Sequence, residues 1–192
     1  CKYHGFEDYR GGGHFSGRLT APLCFAGAVC GQILERRGIY TGAHIASVHG
    51  IHDDAFSRTK VTKEDILEVR EKDFTVRNDA QGEKMKEDIR KIDEESQGHG
   101  GESLGGIIEC VTINMPAGVG SPIFEGLENT IAQLIFGIPA VKGLEFGAGF
   151  QVAEMVGSQN NDPFYIDEKG HVMTKTNNHG GILGGISSGM PI

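Results

Sequence analysis

Tryptophan is absent from these 192 residues, and cysteine occurs only four times. The cysteines, Cys1, Cys24, Cys30 and Cys110, form no C-x-x-C pair. A disulfide framework is denser than this, so a stapled secreted scaffold is set aside. The expectation is buried free thiols in a reducing cytoplasm. Basic residues are also scarce, 18 against 26 acidic ones, for a net charge of −8. That balance argues against nucleic acid or a membrane surface as partner. No apolar run reads as long enough to span a bilayer, and no basic-then-apolar leader opens the chain. The chain begins at Cys1-Lys2-Tyr3 without a methionine and stops at Met190-Pro191-Ile192, so both ends read as cut.

Glycine, by contrast, is abundant: 30 of 192 residues, about twice the usual ~7%. It shows no collagen-like period, and apolar runs separate the clusters, so the reading is globular. A hydrophobic content of 38% is enough for a sizeable core. The length suits one domain spanning 1–192.

Two segments concentrate the glycines. The first is Gly11-Gly12-Gly13-His14-Phe15-Ser16-Gly17-Arg18, and the second runs from Asn177 through His179-Gly180-Gly181 and Gly184-Gly185 to Gly189. Glycine permits φ > 0 and lets a backbone approach a ligand closely. Exposed N–H groups and a helix N-terminus hold anions. The first segment runs into a helical stretch and ends on an arginine, a group suited to a bidentate phosphate clamp. It is neither a dinucleotide fingerprint, since no clear strand precedes it, nor a P-loop, since Gly-Lys-Ser/Thr is missing. The plain alternative is a tight turn with Arg18 paired to a surface carboxylate.

Leu19, Leu23, Ala26, Val29, Cys30, Ile33 and Leu34 recur at helical spacing, which predicts a helix over 18–38 with Pro22 in its first turn and Gly38 as C-cap. A strand is expected over 43–49 and a polar loop over 50–62. Thr62 and Asp65 form a capping-box signature. Residues 80–97 predict a charged helix with Met85, Ile89 and Ile92 on its packed face, broken by His99-Gly100-Gly101. Residues 106–115 read as a strand, and 121–136 as a helix with Ser121 as N-cap and Pro122 at its first position. Residues 141–150 read as a further strand, which makes 106–150 a strand–helix–strand unit. Residues 157–181 read as a long polar loop, a feature that is usually functional.

Other chemistry is thin. His49-Gly50-Ile51-His52-Asp53-Asp54 gathers imidazoles and carboxylates, but no third group recurs at metal-ligand spacing, so a polar loop is the better reading and no metal is expected. Ser16 has no His/Asp pattern beside it to make it a nucleophile. Glu109 and Glu145 fall within the expected strands, where an inward carboxylate needs a partner.

Several motifs in register resemble the chorismate synthase family. Lys2-Tyr3, Gly5-Phe6 and Asp8 through Arg18 resemble its flavin- and substrate-binding segment. Gly101-Glu102-Ser103-Leu104-Gly105-Gly106, Pro116-Ala117-Gly118, Ile138-Pro139-Ala140-Val141-Lys142-Gly143 and Phe146 through Phe150 fit in order. Asn177 to Pro191 fits the family's Asn-Asn-x-Gly-Gly-Ile-x-Gly-Gly-Ile-Ser-x-Gly pattern. The resemblance covers nearly the whole chain, residues 57–97 being least diagnostic.

The resemblance implies an α+β fold, a β-α-β sandwich represented here in part, and a homotetramer. It implies a lyase that converts 5-enolpyruvylshikimate 3-phosphate to chorismate and phosphate by 1,4-elimination in the shikimate pathway. Reduced FMN is the implied cofactor; the usual proposal is that it lends electron density as phosphate leaves and takes the proton. His14, Phe15, Ser16, Pro139, Ala140 and Gly184 fall on the family's FMN contacts. Ser16, Gly17 and Arg18 fall where the family holds substrate. At His14 and Phe15 many members carry Arg and Ser. The family's two catalytic histidines lie in segments without a counterpart here, and His4, His14, His49 and His179 align with neither. NADP is associated with the family through a segment that this chain also lacks. The chain therefore reads as an internal fragment of the enzyme. The alternative is a non-catalytic flavin- or phosphate-binding module that keeps the fold.

Overall fold

The alternation of small and apolar residues through Tyr40–Val48 and Gly106–Ile113 suits two strands with unlike faces. In the structure, a computed structural model that describes residues 2–97 and 101–192, they pair antiparallel from Tyr40↔Ile113 to Val48↔Gly106. These are β1 (Tyr40–Val48) and, third in chain order, β3 (Gly106–Ile113); the short β2 (Ile51–His52) pairs with the far end of β1, giving the order β2-β1-β3. A register shift between Ile45 and Ser47 marks a bulge, and the Ala46 carbonyl there accepts the Asp53 N–H.

Helix α1 (Thr20–Glu35) precedes the sheet, while α2 (Lys63–Arg70) and α3 (Asp79–Ser96) lie between β2 and β3. Thr62 caps α2 through the expected reciprocal bonds with Asp65. Asn78 caps α3 by accepting the Ala80 N–H. Helix α2 lays Ile66 and Val69 on the sheet, where they join Phe56, Val111 and Ile113 in the core. Gly42 makes this approach possible, because a Cβ there would stand 2.6 Å from the Ile66 Cγ2. Residues on the opposite face of the two strands, Ala43, Ile108 and Cys110, are exposed. On α3 the buried positions are Gly82, Met85 and Ser96, while Ile89 is exposed. The apolar stripe is thus narrower than its spacing suggests.

His44 lies inside this core, at 1% exposure, between two carboxylates. Its Nδ1 is 2.8 Å from Asp53 and its Nε2 is 2.6 Å from Glu109, the residue directly opposite it on β3. Glu109 also accepts the Phe56 N–H, and Asp53 accepts the backbone N–H groups of Arg77 and Asn78. Burial opposes the imidazolium charge, yet the bonds from Glu109 and Asp53 and their negative charges outweigh it, so the His44 pKa is raised. Burial likewise disfavours an ionised Asp53, but its backbone and His44 bonds prevail and lower its pKa.

Five expectations need correction. Cys24, Cys30 and Cys110 are exposed rather than buried, the first two because α1 buries no residue; Cys1 lies outside the described residues. The stretch Gly17–Glu35 is in fact long and apolar enough to cross a membrane by length and composition, since glycine, alanine and cysteine fill its turns without charge. The expected helix over 121–136 is split. A 3₁₀ turn, Ile123–Glu125, ends at Gly126, and α4 begins only at Leu127 and runs to Ile135. Its N-cap is Gly126 and the Leu127 N–H donates to the Gly185 carbonyl, so Ser121 has no capping role.

No strand forms over 141–150: Gly147 and Gly149 take φ of 58° and 52°, and 149–154 form a 3₁₀ turn. The strand–helix–strand unit therefore lacks its second strand. The expected loop 157–181 contains α5 (Gly157–Asn160) and a hairpin of β4 (Phe164–Ile166) with β5 (Val172–Thr174). Smaller differences are an earlier start for the first strand and the presence of β2 within 50–62. His99 and Gly100, expected to break the charged helix, lie outside the described residues.

The sign of the His44 shift yields a test. A raised folded pKa contributes stability that is complete below the unfolded value of 6.5 and is lost as pH rises through the folded value. Urea unfolding of the chain should therefore show stability falling on the alkaline side of pH 6.5, with the slope absent in His44→Gln. Asp53→Ala should cost about 3–5 kcal/mol at neutral pH, because it strands a buried partner. A pH slope unchanged in His44→Gln would remove His44 as its source.

Candidate functional site

The first glycine segment has a backbone that only glycine adopts freely. Gly11, Gly12 and Gly13 take φ of 64°, 76° and 48° in succession. A Cβ on Gly13 would stand 2.8 Å from the Asp8 carbonyl. Ser16 then caps a 3₁₀ turn, Gly17–Leu19, by accepting the Arg18 N–H, and that turn leads into α1. The Arg18 guanidinium folds back, with Nη1 donating to the Gly11 carbonyl at 2.5 Å, and among the described residues it pairs with no carboxylate. The residue is exposed beside the glycine loop. His14, Phe15, Gly17 and Arg18 are exposed and Ser16 is half-buried. Tyr3 meets the Phe15 ring edge-on, with centroids 6.1 Å apart.

The second segment is a hairpin held in a polar cradle. Strands β6 (Ile182–Leu183) and β7 (Ile186–Ser187) pair antiparallel through the two-residue turn Gly184-Gly185. Both turn residues have positive φ, 60° and 83°, as a type I′ turn requires. Ser187 fastens β7 to 116–120: its Oγ donates to the Pro116 carbonyl at 2.6 Å and accepts the Val119 N–H at 2.9 Å. Buried Asn177 uses its whole amide, donating to the Arg58 and Pro191 carbonyls and accepting the Gly181 N–H. Asn178 binds the Gln159 and Asn160 carbonyls, and the Arg58 guanidinium reaches Asn178 and Gln151.

Asp162 anchors the same segment. It accepts Thr176 Oγ1 at 2.6 Å and the backbone N–H groups of Asn178 and His179 at 2.8 and 3.0 Å, and it bonds His179 Nδ1. Burial pushes against its charge, but the bonds from His179, Thr176 and the two N–H groups hold its carboxyl at about 2. Ionised Asp162 is acceptor-only, so His179 Nδ1 must be the donor. Nε2, 3.0 Å from Ser188 Oγ, then accepts the serine O–H when the ring is neutral.

Gly184 differs from its neighbours. Cβ atoms on Gly147, Gly180 or Gly185 would lie inside contact distance of other backbone, whereas one on Gly184 would meet nothing within 4 Å. Its backbone is the open tip of the hairpin, against which a flat ring can lie, and this fits a flavin. Pro139 and Ala140 are exposed, and Ala140 takes φ of 68°, a strained value for a residue with a Cβ. Among the described residues, no hydrogen bond joins 10–18 to 139–140 or to 184. The expected FMN and substrate residues thus lie on three stretches of chain that no hydrogen bond joins to one another among the described residues.

The histidine–aspartate run at 49–54 is pulled apart. His49 bonds Asp88, Asp53 turns inward to His44, and Asn78 binds Asp54. Among the described residues no group of three His, Cys, Asp or Glu side chains is placed to hold a metal ion. Of the two strand carboxylates considered from sequence, Glu109 has His44 as its partner and Glu145 is exposed outside any strand. The Asp162–His179–Ser188 chain was not legible in the sequence. The polar run Asn160-Asn161-Asp162-Pro163 was its sole trace, because its partners lie 17 and 26 residues away.

A family model described as chorismate synthase matches residues 1–192. A chorismate synthase of Pyrococcus abyssi is 48% identical over 191 residues, covering 100% of this chain and 50% of that protein. Another, of Lancefieldella parvula, is 43% identical over 192 residues, covering 95% of this chain and 49% of its own length. A crystal structure of chorismate synthase superposes with a TM-score of 0.80 at 32% identity, covering 92% of this chain and 54% of that one. The chain spans about half the length of the curated relatives it matches.

The glycine geometry separates two substitutions. Gly184→Ala meets open space and bears only the left-handed backbone penalty, about 1–2 kcal/mol. Gly147→Ala adds a collision with the Asn178 carbonyl, for roughly 2–5 kcal/mol in total. Urea midpoints of the two variants should differ accordingly; equal losses would mean that the close approach at Gly147 is not a constraint.

Proposed function

This chain belongs to the chorismate synthase family, and we propose that it supplies the flavin- and phosphate-facing part of a lyase. The reaction is the 1,4-elimination of phosphate from 5-enolpyruvylshikimate 3-phosphate, which yields chorismate in the shikimate pathway. The observation that carries this reading is the pairing of two unlike glycine devices on one chain. One is a left-handed loop beside the exposed Arg18; the other is a hairpin tip with an open backbone.

On this reading Ser16, Gly17 and Arg18 hold the substrate. The Arg18 guanidinium, beside the glycine loop, favours the negative charge that grows on the departing phosphate. His14, Phe15, Ser16, Pro139, Ala140 and Gly184 hold the flavin. Phe15 and the Gly184 backbone offer flat apolar contact to its rings, and the strained Ala140 turn presents backbone to it. When bound, reduced FMN would supply electron density for the loss of phosphate and accept the proton, with no net redox change. Catalytic proton transfer is assigned to no residue of this chain. On this reading the enzyme is a homotetramer. The chain acts as one domain of a cytoplasmic enzyme whose partners are small molecules rather than nucleic acid or membrane.

Two measurements test this in the full-length protein. Arg18→Ala should weaken 5-enolpyruvylshikimate 3-phosphate binding by about 1.5–3 kcal/mol, the worth of a charge-assisted bond. Unchanged affinity by titration calorimetry would take Arg18 out of the site. Gly184→Val should abolish FMN binding, followed by flavin fluorescence, in a protein whose circular dichroism remains native. A folded variant with normal FMN affinity would contradict the assignment of the hairpin tip.

A further inference from the structure

We propose that His179 is a positioning residue for the flavin-facing hairpin, acting through Asp162 on one side and Ser188 on the other. The proposal rests on the reading that Gly184 faces the flavin. His179 and Asp162 have side-chain exposures of 9% and 6%, so water does not compete for their bond. Asp162 receives two backbone N–H groups and a threonine hydroxyl as well, so it does not move. It directs Nδ1–H of His179 and leaves Nε2 facing Ser188 Oγ at 3.0 Å.

Ser188 follows β7 directly, and His179 precedes β6 by three residues. The imidazole therefore bridges the two feet of the hairpin, reinforced by the Ser188 N–H bond to the Gly181 carbonyl at 2.8 Å. Other anchors hold the β7 side: Ser187 to Pro116 and Val119, and the Gly185 carbonyl to Leu127. Gly184 itself has no such tie among the described residues, and its place depends on how firmly the two feet are joined. The carboxylate–imidazole–hydroxyl order also resembles a nucleophile relay. That reading is disfavoured because Ser188 is half-buried and its oxygen also accepts the Met190 N–H.

The test uses the full-length protein with Ser188→Ala, Ser188→Thr and His179→Ala, read by FMN fluorescence titration and by thermal unfolding without flavin. Ser188→Ala is expected to weaken FMN binding about tenfold, the worth of one net hydrogen bond, with little change in unfolding temperature. Ser188→Thr, which keeps the hydroxyl, should restore the affinity. The double variant His179→Ala/Ser188→Ala should lose no more than His179→Ala alone, because the two act as one bridge. Wild-type FMN affinity in Ser188→Ala, or additive losses in the double variant, would overturn the positioning role while leaving the flavin site in place. Failure of the unaltered protein to bind FMN would instead overturn the proposed function, and this inference with it. Ser188→Ala keeps the test decisive even where His179→Ala fails to fold.

Discussion

Backbone packed directly on backbone is the constraint on which the second half of this structure depends. Between 116 and 192 the strands are two or three residues long, too short to organise a layer by ladder bonds alone. Glycines take their place. Gly126 lies against Gly185, whose carbonyl receives Leu127 N–H, and Gly147 lies against Asn178 and Gly180. A Cβ at Gly181 would stand 2.5 Å from the Pro191 carbonyl. Each contact needs a residue without a side chain, and several also need positive φ. Glycine's greater loss of conformational freedom is offset here by hydrogen bonds that only this closeness permits.

The same region keeps its polar groups satisfied by asparagine and aspartate rather than by regular structure. Asn177, Asn178 and Asp162 together accept or donate to segments at 58, 159–160, 176–181 and 191. Short polar side chains can replace missing ladder partners at such turns. A second carboxylate-held imidazole, His44 between Asp53 and Glu109, plays the corresponding part within the sheet core. Both sites keep a carboxylate ionised against burial by surrounding it with donors. In the sheet this ties β1 to β3 and to the chain entering α3. At the hairpin it ties the glycine segment to the loop before β4.

The exposed surfaces follow from the same economy of cover. Helix α1 buries no residue, and one face of the β1–β3 pair carries exposed Ile108 and Cys110. The chain spans about half the length of its chorismate synthase relatives. Among the described residues, no hydrogen bond joins the three stretches assigned to ligands.

Local chemistry determined the elements that the sequence alone identifies: the capping box at Thr62 and Asp65, the charged helix expected over 80–97, the strand expected over 106–115, and the two glycine segments with Arg18 beside one of them. Each depends on neighbours within four residues, where periodicity and capping act. Motif order was also enough to suggest the family. Tertiary structure alone decided that 141–150 is not a strand, because Gly147 and Ala148 meet Asn178 and Gly180, about thirty positions away. It alone split the helix at Gly126, where the supporting carbonyl comes from Gly185. The partners of His44 and His179 were hidden for the same reason. A buried charge is stabilised by whatever donors and acceptors the fold brings to it, and those lie 9 to 65 residues away along the chain, beyond the reach of any local pattern.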